Sequence, residues 1–398
     1  MKILVVNSGS SSMKYQLIES DTGEVLAKGL ADRIGLAAST FTHHLTGSKK
    51  RKWDFKMENH NVAVAQMIEC LVGEDGPVDS LEEIAAVGHR VVHGGEEFSA
   101  SVLVNDEVKA SIVKSSVWSP LHNPANLSGI EVCEELMPGI PQVAVFDTAF
   151  HQTMPDEAYM YGLPYDAYET YGVRRYGFHG TSHRYVAQRV AAVLGKDLED
   201  LKIVVCHLGN GSSMSAVMNG KCVDTSMGLT PLAGVMMGTR CGDIDPAIIP
   251  FMMEQKNISA HEVDRILNKE SGVLGVSGVS SDFRDLAEAR EQGNKRADLA
   301  LRMFEYQVLK YVGSYAAAMA GIDAIAFTAG IGENTPFIRK NILDRLNFFG
   351  LEVDEEKNEN AGDEEIITTP ESKVHGLVIS TNEELAIALD TADIVASL

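Results

Sequence analysis

The chain has 398 residues, of which 45% are hydrophobic and 23% charged, a composition typical of a globular protein with two or three domains. Its formal net charge of −22 argues against a general affinity for nucleic acid or for an anionic membrane. An anionic ligand would therefore need a cationic pocket built locally from a few residues.

The first predicted element is a strand at residues 3–6, which are rich in β-branched side chains and end at the small-residue loop 7–12. A second strand is predicted at 14–18, followed by a turn at 21–23 and a third strand. Small residues let backbone N–H groups approach an anion closely. The loop is therefore a candidate phosphate-binding turn, with Lys14 as a point charge beside it.

Histidine and arginine are repeatedly flanked by glycine or proline along the middle of the chain. The segments are G-H-R-V-V-H-G-G at 88–95, L-H-N-P at 121–124, F-H-G-T-S-H at 178–183 and G-T-R-C-G-D-I-D-P at 238–246. A single histidine is usually structural, but the repeated pattern indicates a cleft. Asp147 ends a predicted strand at 142–146, so its carboxylate is expected to project into that cleft.

The pattern of the first hairpin recurs near residue 203. A strand at 203–206, a polar loop at 207–213 and a strand at 214–218 precede an Asn-Gly turn, which is a strong hairpin signal. Aligning residues 11–13 with 212–214 superposes the two hairpins without a gap in the loop. Coincidence between two Gly/Ser loops stays open, but duplication explains more. Two related domains would each present one hairpin toward a polyphosphate and grip it from both sides.

The last third of the chain continues an alternation of helices and strands, which indicates layered α/β domains. A long buried helix is predicted at 297–320 and a strand at 324–328. The segment G-I-G-E-N at 330–334 is predicted as a turn before a helix that starts near Pro336; contact with an adenosine and a plain turn are equally open readings. Predictions for the remaining segments are a solvated connection at 354–365, a strand at 378–380, a capping box from Ser380 to Glu383 and a helix at 383–395.

Several common sites are disfavoured by missing motifs. The sequence has neither a Walker A motif nor a complete dinucleotide fingerprint, and H-E-x-x-H is absent, which argues against zinc. Mg²⁺ fits phosphoryl transfer better. The five cysteines form no C-x-x-C pair, and no run is long enough for a signal peptide or a membrane span. A cytoplasmic protein with reduced thiols is expected.

These motifs closely resemble the acetokinase family, which belongs to the acetate and sugar kinase, heat-shock chaperone and actin superfamily. The resemblance covers essentially the whole chain. Besides the four segments above, it includes V-x-N-x-G-S-S-S-x-K at 5–14, F-D-T-A-F-H at 146–151, H-L-G-N-G at 207–211, D-F-R at 282–284, T-A-G-I-G-E-N at 328–334 and T-N-E-E at 381–384. The implied fold is α/β, with two duplicated ribonuclease-H-like (actin-like ATPase) domains and a cleft between them. The implied boundaries are 1–149 plus 384–398 for the N-terminal domain and 150–383 for the nucleotide-binding domain.

The resemblance also implies roles for individual residues. Catalytic roles are implied for Arg90, Asp147, His179 and Arg240. The substrate carboxylate and methyl group would contact Arg90, Val92, Leu121, His122, Phe178 and Pro231. ATP or ADP would contact Ser10, Ser12, Lys14, His207, Leu208, Gly209, Asn210, Gly211, Asp282, Phe283, Arg284, Gly330, Ile331, Gly332, Glu333 and Asn334. Mg²⁺, with Mn²⁺ as a substitute, would lie at Asn7 and Glu383.

The implied activity is reversible, Mg²⁺-dependent phosphoryl transfer between ATP and acetate by a homodimer. A carboxylate is already an anion at neutral pH, so direct in-line transfer needs no strong base. Asp147 usually has a proton-transfer role in the family, whereas this reasoning favours orientation of the metal or substrate. A propionate or butyrate kinase, a non-catalytic ATP-binding module and a metal hydrolase remain as alternatives.

Overall fold

A computed structural model of the chain describes residues 1–73 and 76–398. Contacts within the chain divide it into two compact units. Unit 1 comprises Met1–Gln152 with Asn382–Leu398, and unit 2 comprises Thr153–Thr381.

Unit 1 is built on a sheet with the strand order β5-β4-β3-β2-β1-β6-β8-β7. Its strands are β1 (Lys2–Ser8), β2 (Ser12–Glu19), β3 (Glu24–Asp32), β4 (Thr40–Leu45), β5 (Arg51–Asp54), β6 (Ile84–Val91), β7 (Val102–Leu103) and β8 (Gln142–Phe146). Its first helices are α1 (His60–Leu71), α2 (Asp106–Ser115) and α3 (Asn123–Leu136). Strand β1 runs antiparallel to β2 and parallel to β6, and β6 runs parallel to β8.

Unit 2 is built on a second sheet with the strand order β11-β10-β9-β12-β14-β13. Its strands are β9 (Lys202–Leu208), β10 (Ser212–Met218), β11 (Lys221–Thr225), β12 (Ala324–Thr328), β13 (Glu364–Ile366) and β14 (His375–Ile379). Its helices are α4 (Asp156–Tyr159), α5 (Asp166–Tyr171), α6 (Gly180–Leu194), α7 (Ile248–Lys256), α8 (Ala260–Lys269), α9 (Gly272–Ser277), α10 (Phe283–Glu291), α11 (Lys295–Ala318), α12 (Ala329–Asn334), α13 (Pro336–Leu343) and α14 (Glu355–Glu359).

The last helix, α15 (Glu383–Ala396), returns to unit 1. Alternation along β1 explains why both sheet faces are apolar there: Leu4 and Val6 belong to one core, whereas Ile3 and Val5 belong to another that includes residues of α15. The helix approaches β6 so closely that a Cβ atom on Gly88 would lie 2.3 Å from Oγ1 of Thr391 and 2.8 Å from Cγ2 of Ile387, both on α15. Glycine at this position therefore permits the packing.

The predicted duplication is confirmed by strand order. In unit 1 the five strands β3-β2-β1-β6-β8 are neighbours, and in unit 2 the equivalent run is β11-β10-β9-β12-β14. In both, the first three strands are antiparallel and the rest continue in parallel from the first strand of the hairpin. This common order, 3-2-1-4-5 within each unit, is that of a ribonuclease-H-like domain.

Three local predictions differ from the structure. Residues 330–334 are not a plain turn but belong to the short helix α12. The segment 354–365 is mostly exposed, as expected, but it is not a plain connection, because it contains α14 and the start of β13. Helix α15 is capped by Asn382, whose side chain accepts a hydrogen bond from the backbone N–H of Leu385, rather than by a box starting at Ser380.

Among the helices in the described ranges, none combines the length and the apolar character that crossing a bilayer demands.

Candidate active site

A buried ion pair lies at the carboxyl ends of β6 and β8 in unit 1. The guanidinium of Arg90 donates from Nε to Oδ1 of Asp147 at 3.0 Å and from Nη2 to Oδ2 at 2.5 Å. The two strands are parallel neighbours, and the Asp147 N–H donates to the Val91 carbonyl at 2.9 Å, so both side chains reach the same sheet edge. Asp147 is only 1% exposed. The pairing leaves Nη1 of Arg90 as a donor for another anion.

Burial and neighbouring charge raise the pKa of two carboxyl groups at this site, Asp147 of the pair and Glu383. Burial raises the pKa of Asp147 to about 6, while Arg90 opposes the rise and Glu383 adds to it. Burial also raises the pKa of Glu383, and Arg90 opposes that rise. A cation close to both carboxylates would therefore be stabilised.

The predicted metal residues offer the oxygen ligands that Mg²⁺ prefers, an amide oxygen from Asn7 and a carboxylate from Glu383. Asn7 lies in β1 opposite Lys14 of β2, and both line a cavity of about 420 Å³ together with Glu384. In the described part of the chain, no group of three or more His, Cys, Asp or Glu side chains could hold a metal ion. The oxygen atoms of Asn7 and Glu383 fit Mg²⁺, which usually keeps several waters among its ligands.

Asn126 of α3 is a residue that the sequence analysis missed. It is 3% exposed; its Oδ1 accepts from the Val92 N–H at 3.1 Å, and its Nδ2 donates to the Ser8 carbonyl at 2.7 Å. It therefore joins the loop after β1 to the segment after Arg90. The L-H-N-P motif marks the start of α3 but carries no signal for a residue two positions farther along.

Replacing Asn126 with alanine is expected to lower the free energy of unfolding by roughly 2 to 4 kcal/mol, because the groups on Ser8 and Val92 would both lose their buried partner. Urea titration of the variant would measure the loss. Asn360→Ala removes an exposed amide that donates to the Glu356 carbonyl and should change stability by less than about 0.5 kcal/mol. Equal losses in both variants would contradict the role given to Asn126.

His89 lies beside Arg90 on β6 and is buried as a neutral imidazole. Its Nε2 lies 2.7 Å from Oε1 of Gln142, whose Nε2 donates to the Ile140 carbonyl at 2.9 Å. That second bond orients the amide, so the imidazole Nε2–H is the donor. Burial lowers the pKa of His89 to about 4.

The free energy of unfolding should fall as the pH is lowered from about 6.5 toward 4, because the unfolded chain binds a proton on His89 and the folded chain does not. Within this window, one such group lowers the free energy of unfolding by about 1.4 kcal/mol for each unit by which the pH falls. Above the window, the free energy of unfolding no longer depends on this histidine's protonation. Denaturant titrations between pH 7 and 5 would give the free energy of unfolding at each pH. We expect this free energy to depend less steeply on pH in His89→Gln than in the wild type. Identical slopes would exclude His89 as the titrating group.

In unit 2, His179 and Arg240 converge on the second small-residue hairpin. A Cβ atom on Gly211 would lie 3.5 Å from Nη1 of Arg240 and 3.7 Å from Nε2 of His179. His179 precedes α6 with a φ of 57°, and its ring stacks on that of His207 with a centroid distance of 4.2 Å. Arg240 Nη1 also donates to the Pro231 carbonyl at 3.1 Å. The hairpin backbone thus faces one imidazole and one guanidinium.

A cavity of about 650 Å³ in unit 2 brings together three segments that are distant in the sequence. Its lining comprises Gly209, Asn210, Ser281, Asp282, Phe283, Arg284, Gly330, Ile331, Asn334 and Thr335. Its volume is in the range of small-molecule sites. Hydrogen bonding to Arg284 lowers the pKa of Asp282 to about 2, so this carboxylate is charged at neutral pH. The cavity is the candidate site for the nucleoside of ATP.

The remaining predicted residues are divided between the units. Ser10, Ser12, Lys14, Val92, Leu121 and His122 lie in unit 1, whereas His207, Leu208, Gly211, Phe178, Pro231, Gly332 and Glu333 lie in unit 2. Of the predicted apolar contacts, Val92 and Phe178 are 8% and 2% exposed, but Leu121 is 67% exposed. Leu121 is therefore not part of a packed apolar wall within unit 1.

The family model of the acetokinase family matches residues 2–389. The chain belongs to the acetokinase family. It is 58% identical over 396 residues to an acetate kinase from Clostridium novyi, covering 99% of this chain and 98% of that protein. Its structure is similar to the crystal structure of Porphyromonas gingivalis acetate kinase, with a TM-score of 0.96 at 48% identity over 99% of both chains. A propionate kinase structure from Francisella tularensis gives a TM-score of 0.92 at 41% identity, again over 99% of both chains.

Two side chains, Glu333 of the 328–334 motif and Arg339 outside it, shape α12 in this acetokinase. The Glu333 carboxylate accepts from the Ala329 N–H at 2.7 Å and from the Thr381 N–H at 3.2 Å. Arg339, 1% exposed, donates to the carbonyls of Gly332 at 2.9 Å and Glu333 at 2.7 Å. Glu333, predicted as an ATP contact, therefore has its carboxylate engaged in holding α12, and Arg339 caps the end of that helix.

Proposed function

We propose that this protein is an acetate kinase, which transfers the γ-phosphoryl group of ATP to a carboxylate oxygen of acetate and releases ADP. Membership of the acetokinase family and the names of its relatives support the proposal. The observation that carries it is the convergence of His179 Nε2 and Arg240 Nη1 on Gly211. Two fixed donors at a small-residue hairpin suit a group whose negative charge is spread over several oxygens.

The chemistry requires charge neutralisation more than proton transfer. One P–O bond to ADP breaks and one P–O bond to acetate forms, and no proton has to move because acetate is already ionised. Arg240 and His179 would donate to the phosphoryl oxygens. Mg²⁺, when held by Asn7 and Glu383, would neutralise charge on the phosphates.

Arg90 would bind the acceptor. Asp147 occupies its Nε and Nη2, so Nη1 is the donor that an acetate oxygen would meet. In this proposal Asp147 orients the guanidinium and does not act as an essential base. The homodimer, the cytoplasmic location and the use of Mn²⁺ stay predictions.

The test is an acetyl phosphate assay with ATP, Mg²⁺ and acetate, in which hydroxylamine traps the product. Acetate should give a higher kcat/KM than propionate, and butyrate should be poorer still, because each methylene changes discrimination by about 1–3 kcal/mol. A preference for propionate would instead indicate the activity named for the Francisella tularensis structure. ATP hydrolysis that is indifferent to every acid would contradict the proposal.

A further inference from the structure

A chain of side-chain hydrogen bonds leads away from His179 into the core of unit 2. Nδ1 of His179 lies 2.9 Å from Oγ of Ser213, and Nε2 of His183 lies 2.7 Å from the same oxygen. Nδ1 of His183 lies 2.8 Å from Oγ of Ser215. Ser213, Ser215 and His183 are all 0% exposed. One hydroxyl of β10 therefore stands between two imidazoles of the α6 region.

The single proton of the Ser213 hydroxyl restricts which nitrogens of His179 and His183 can be protonated. The Ser213 hydroxyl has a single proton, so it can donate to one ring nitrogen and must accept from the other. If it donates to His183, neutral His179 carries its proton on Nδ1, and its Nε2 has a lone pair but no proton. If it donates to His179 Nδ1, neutral His179 carries its proton on Nε2, and His183 Nε2–H donates to Ser213. The Ser215 hydroxyl can then donate to His183 Nδ1.

The proposed phosphoryl transfer favours the second arrangement. A bare Nε2 lone pair would repel a phosphoryl oxygen, whereas Nε2–H would donate to it. Protonating the whole ring would also give Nε2–H, but Arg240 Nη1 and His179 Nε2 both lie within 4 Å of the Gly211 Cβ position, so the guanidinium disfavours an imidazolium. Titratable groups near His179 include the stacked ring of His207 and, through Ser213, the ring of His183.

We propose that Ser213 is a positioning residue, which holds neutral His179 in the Nε2–H tautomer by donating its hydroxyl proton to Nδ1. The inference rests on the proposed phosphoryl transfer for its purpose, but the tautomer can be measured without it. Ser213 acts on the reaction through His179, whose ring it orients by the hydrogen bond to Nδ1. His183 and Ser215 continue the chain beyond Ser213.

The decisive measurement is ¹⁵N NMR of the histidine rings in the full-length wild type, with His179 and His183 assigned from His179→Gln and His183→Gln variants. Both rings should be neutral near pH 7.5 and protonated on Nε2. A neutral His179 protonated on Nδ1 would overturn the proposal, as would a His183 protonated on Nδ1. The NMR measurement does not require the enzyme to turn over. It can therefore contradict the tautomer proposal independently of whether the acetyl phosphate assay contradicts the proposed function.

The kinetic test compares Ser213→Ala with Ser226→Ala. Ser226 is also 0% exposed and its Oγ accepts from the Met214 N–H at 2.8 Å, with no bond to an imidazole. Ser213→Ala should lower kcat by roughly 10- to 100-fold, as loss of a partner that orients a functional imidazole does, with little change in the KM for ATP. Ser226→Ala should stay within about twofold of the wild type, since the Ser226 hydroxyl bonds to a backbone N–H and not to the His179 ring.

The pH profile separates positioning from folding. The ratio of wild-type to Ser213→Ala kcat should shrink at pH values low enough to protonate His179, because the imidazolium carries Nε2–H without the serine. A constant ratio, or an equal loss in Ser226→Ala, would overturn the proposal. Ser213→Cys keeps a weak donor and should lie between alanine and the wild type. If Ser213→Ala does not fold, the wild-type tautomers still decide the question.

Discussion

Replacing Arg240 with alanine is expected to lower kcat for acetyl phosphate formation by roughly 10²- to 10³-fold, the usual cost of losing one transition-state donor. The guanidinium lies at the Gly211 backbone beside Nε2 of His179. It is partly buried, and burial lowers its pKa without removing its charge. Its stabilising effect should be larger in the transition state, where negative charge is redistributed over the transferring phosphoryl group. The substitution should therefore lower kcat by a larger factor than it weakens ATP binding.

The measurement is steady-state kinetics with acetate, ATP and Mg²⁺, supported by an unfolding curve. Arg240→Lys keeps the charge but loses the fork geometry and should recover only part of the rate. Arg302→Ala is the control, because this arginine is exposed and pairs with Asp298 on the surface of α11. Full activity in Arg240→Ala would exclude Arg240 from transition-state stabilisation.

Replacing Arg90 with alanine is expected to impair both stability and acceptor binding. Asp147 would stay buried without its cation, and breaking such a pair costs about 3–5 kcal/mol of unfolding free energy. The kcat/KM for acetate should fall roughly 10²-fold or more, because the acceptor loses its charged donor. The KM for ATP should change far less, since the candidate nucleoside cavity lies among residues of unit 2.

The double variant Arg90→Ala/Asp147→Ala distinguishes these two effects. Removing both partners leaves neither charge alone, so much of the lost stability should return while acetate activity does not. Denaturant titrations and acetate kinetics on the two single variants and the double variant complete the cycle. Recovery of acetate activity in the double variant would show that Arg90 does not bind the acceptor.

The hairpins could be predicted from the sequence because their signals are local. Strand residues alternate around loops of Gly and Ser, and a repeat of that pattern survives in residues 11–13 and 212–214. The carboxyl end of β8 could likewise be placed from the apolar run that stops at Asp147. Pairing of Asp147 with Arg90, however, depends on the parallel register of β6 and β8, which no local pattern contains.

Helix α12 shows why other parts of the site could not be predicted. Its sequence contains two glycines, Gly330 and Gly332, whose low helix propensity favours a turn. The helix forms because the Glu333 carboxylate binds the N–H of Ala329 at one end and Arg339 binds carbonyls at the other. Arg339 also donates to Oδ1 of Asn358 at 2.9 Å, a partner that lies in the segment expected to be solvated. Side-chain hydrogen bonds made by Glu333, within the helix, and by Arg339, in the next helix, outweigh the low helix propensity of the two glycines.

The return of α15 to unit 1 has a consequence for the order of events on the ribosome. Residues 383–396 are translated after the whole of unit 2, yet they cover the sheet face that carries Ile3 and Val5. A nascent chain that has released only its first 152 residues therefore exposes an apolar face and lacks Glu383. Unit 2 is continuous, so we expect it to fold as soon as it emerges and before unit 1 is complete. A chain that ends before residue 383 should leave the apolar face of Ile3 and Val5 uncovered and prone to aggregation.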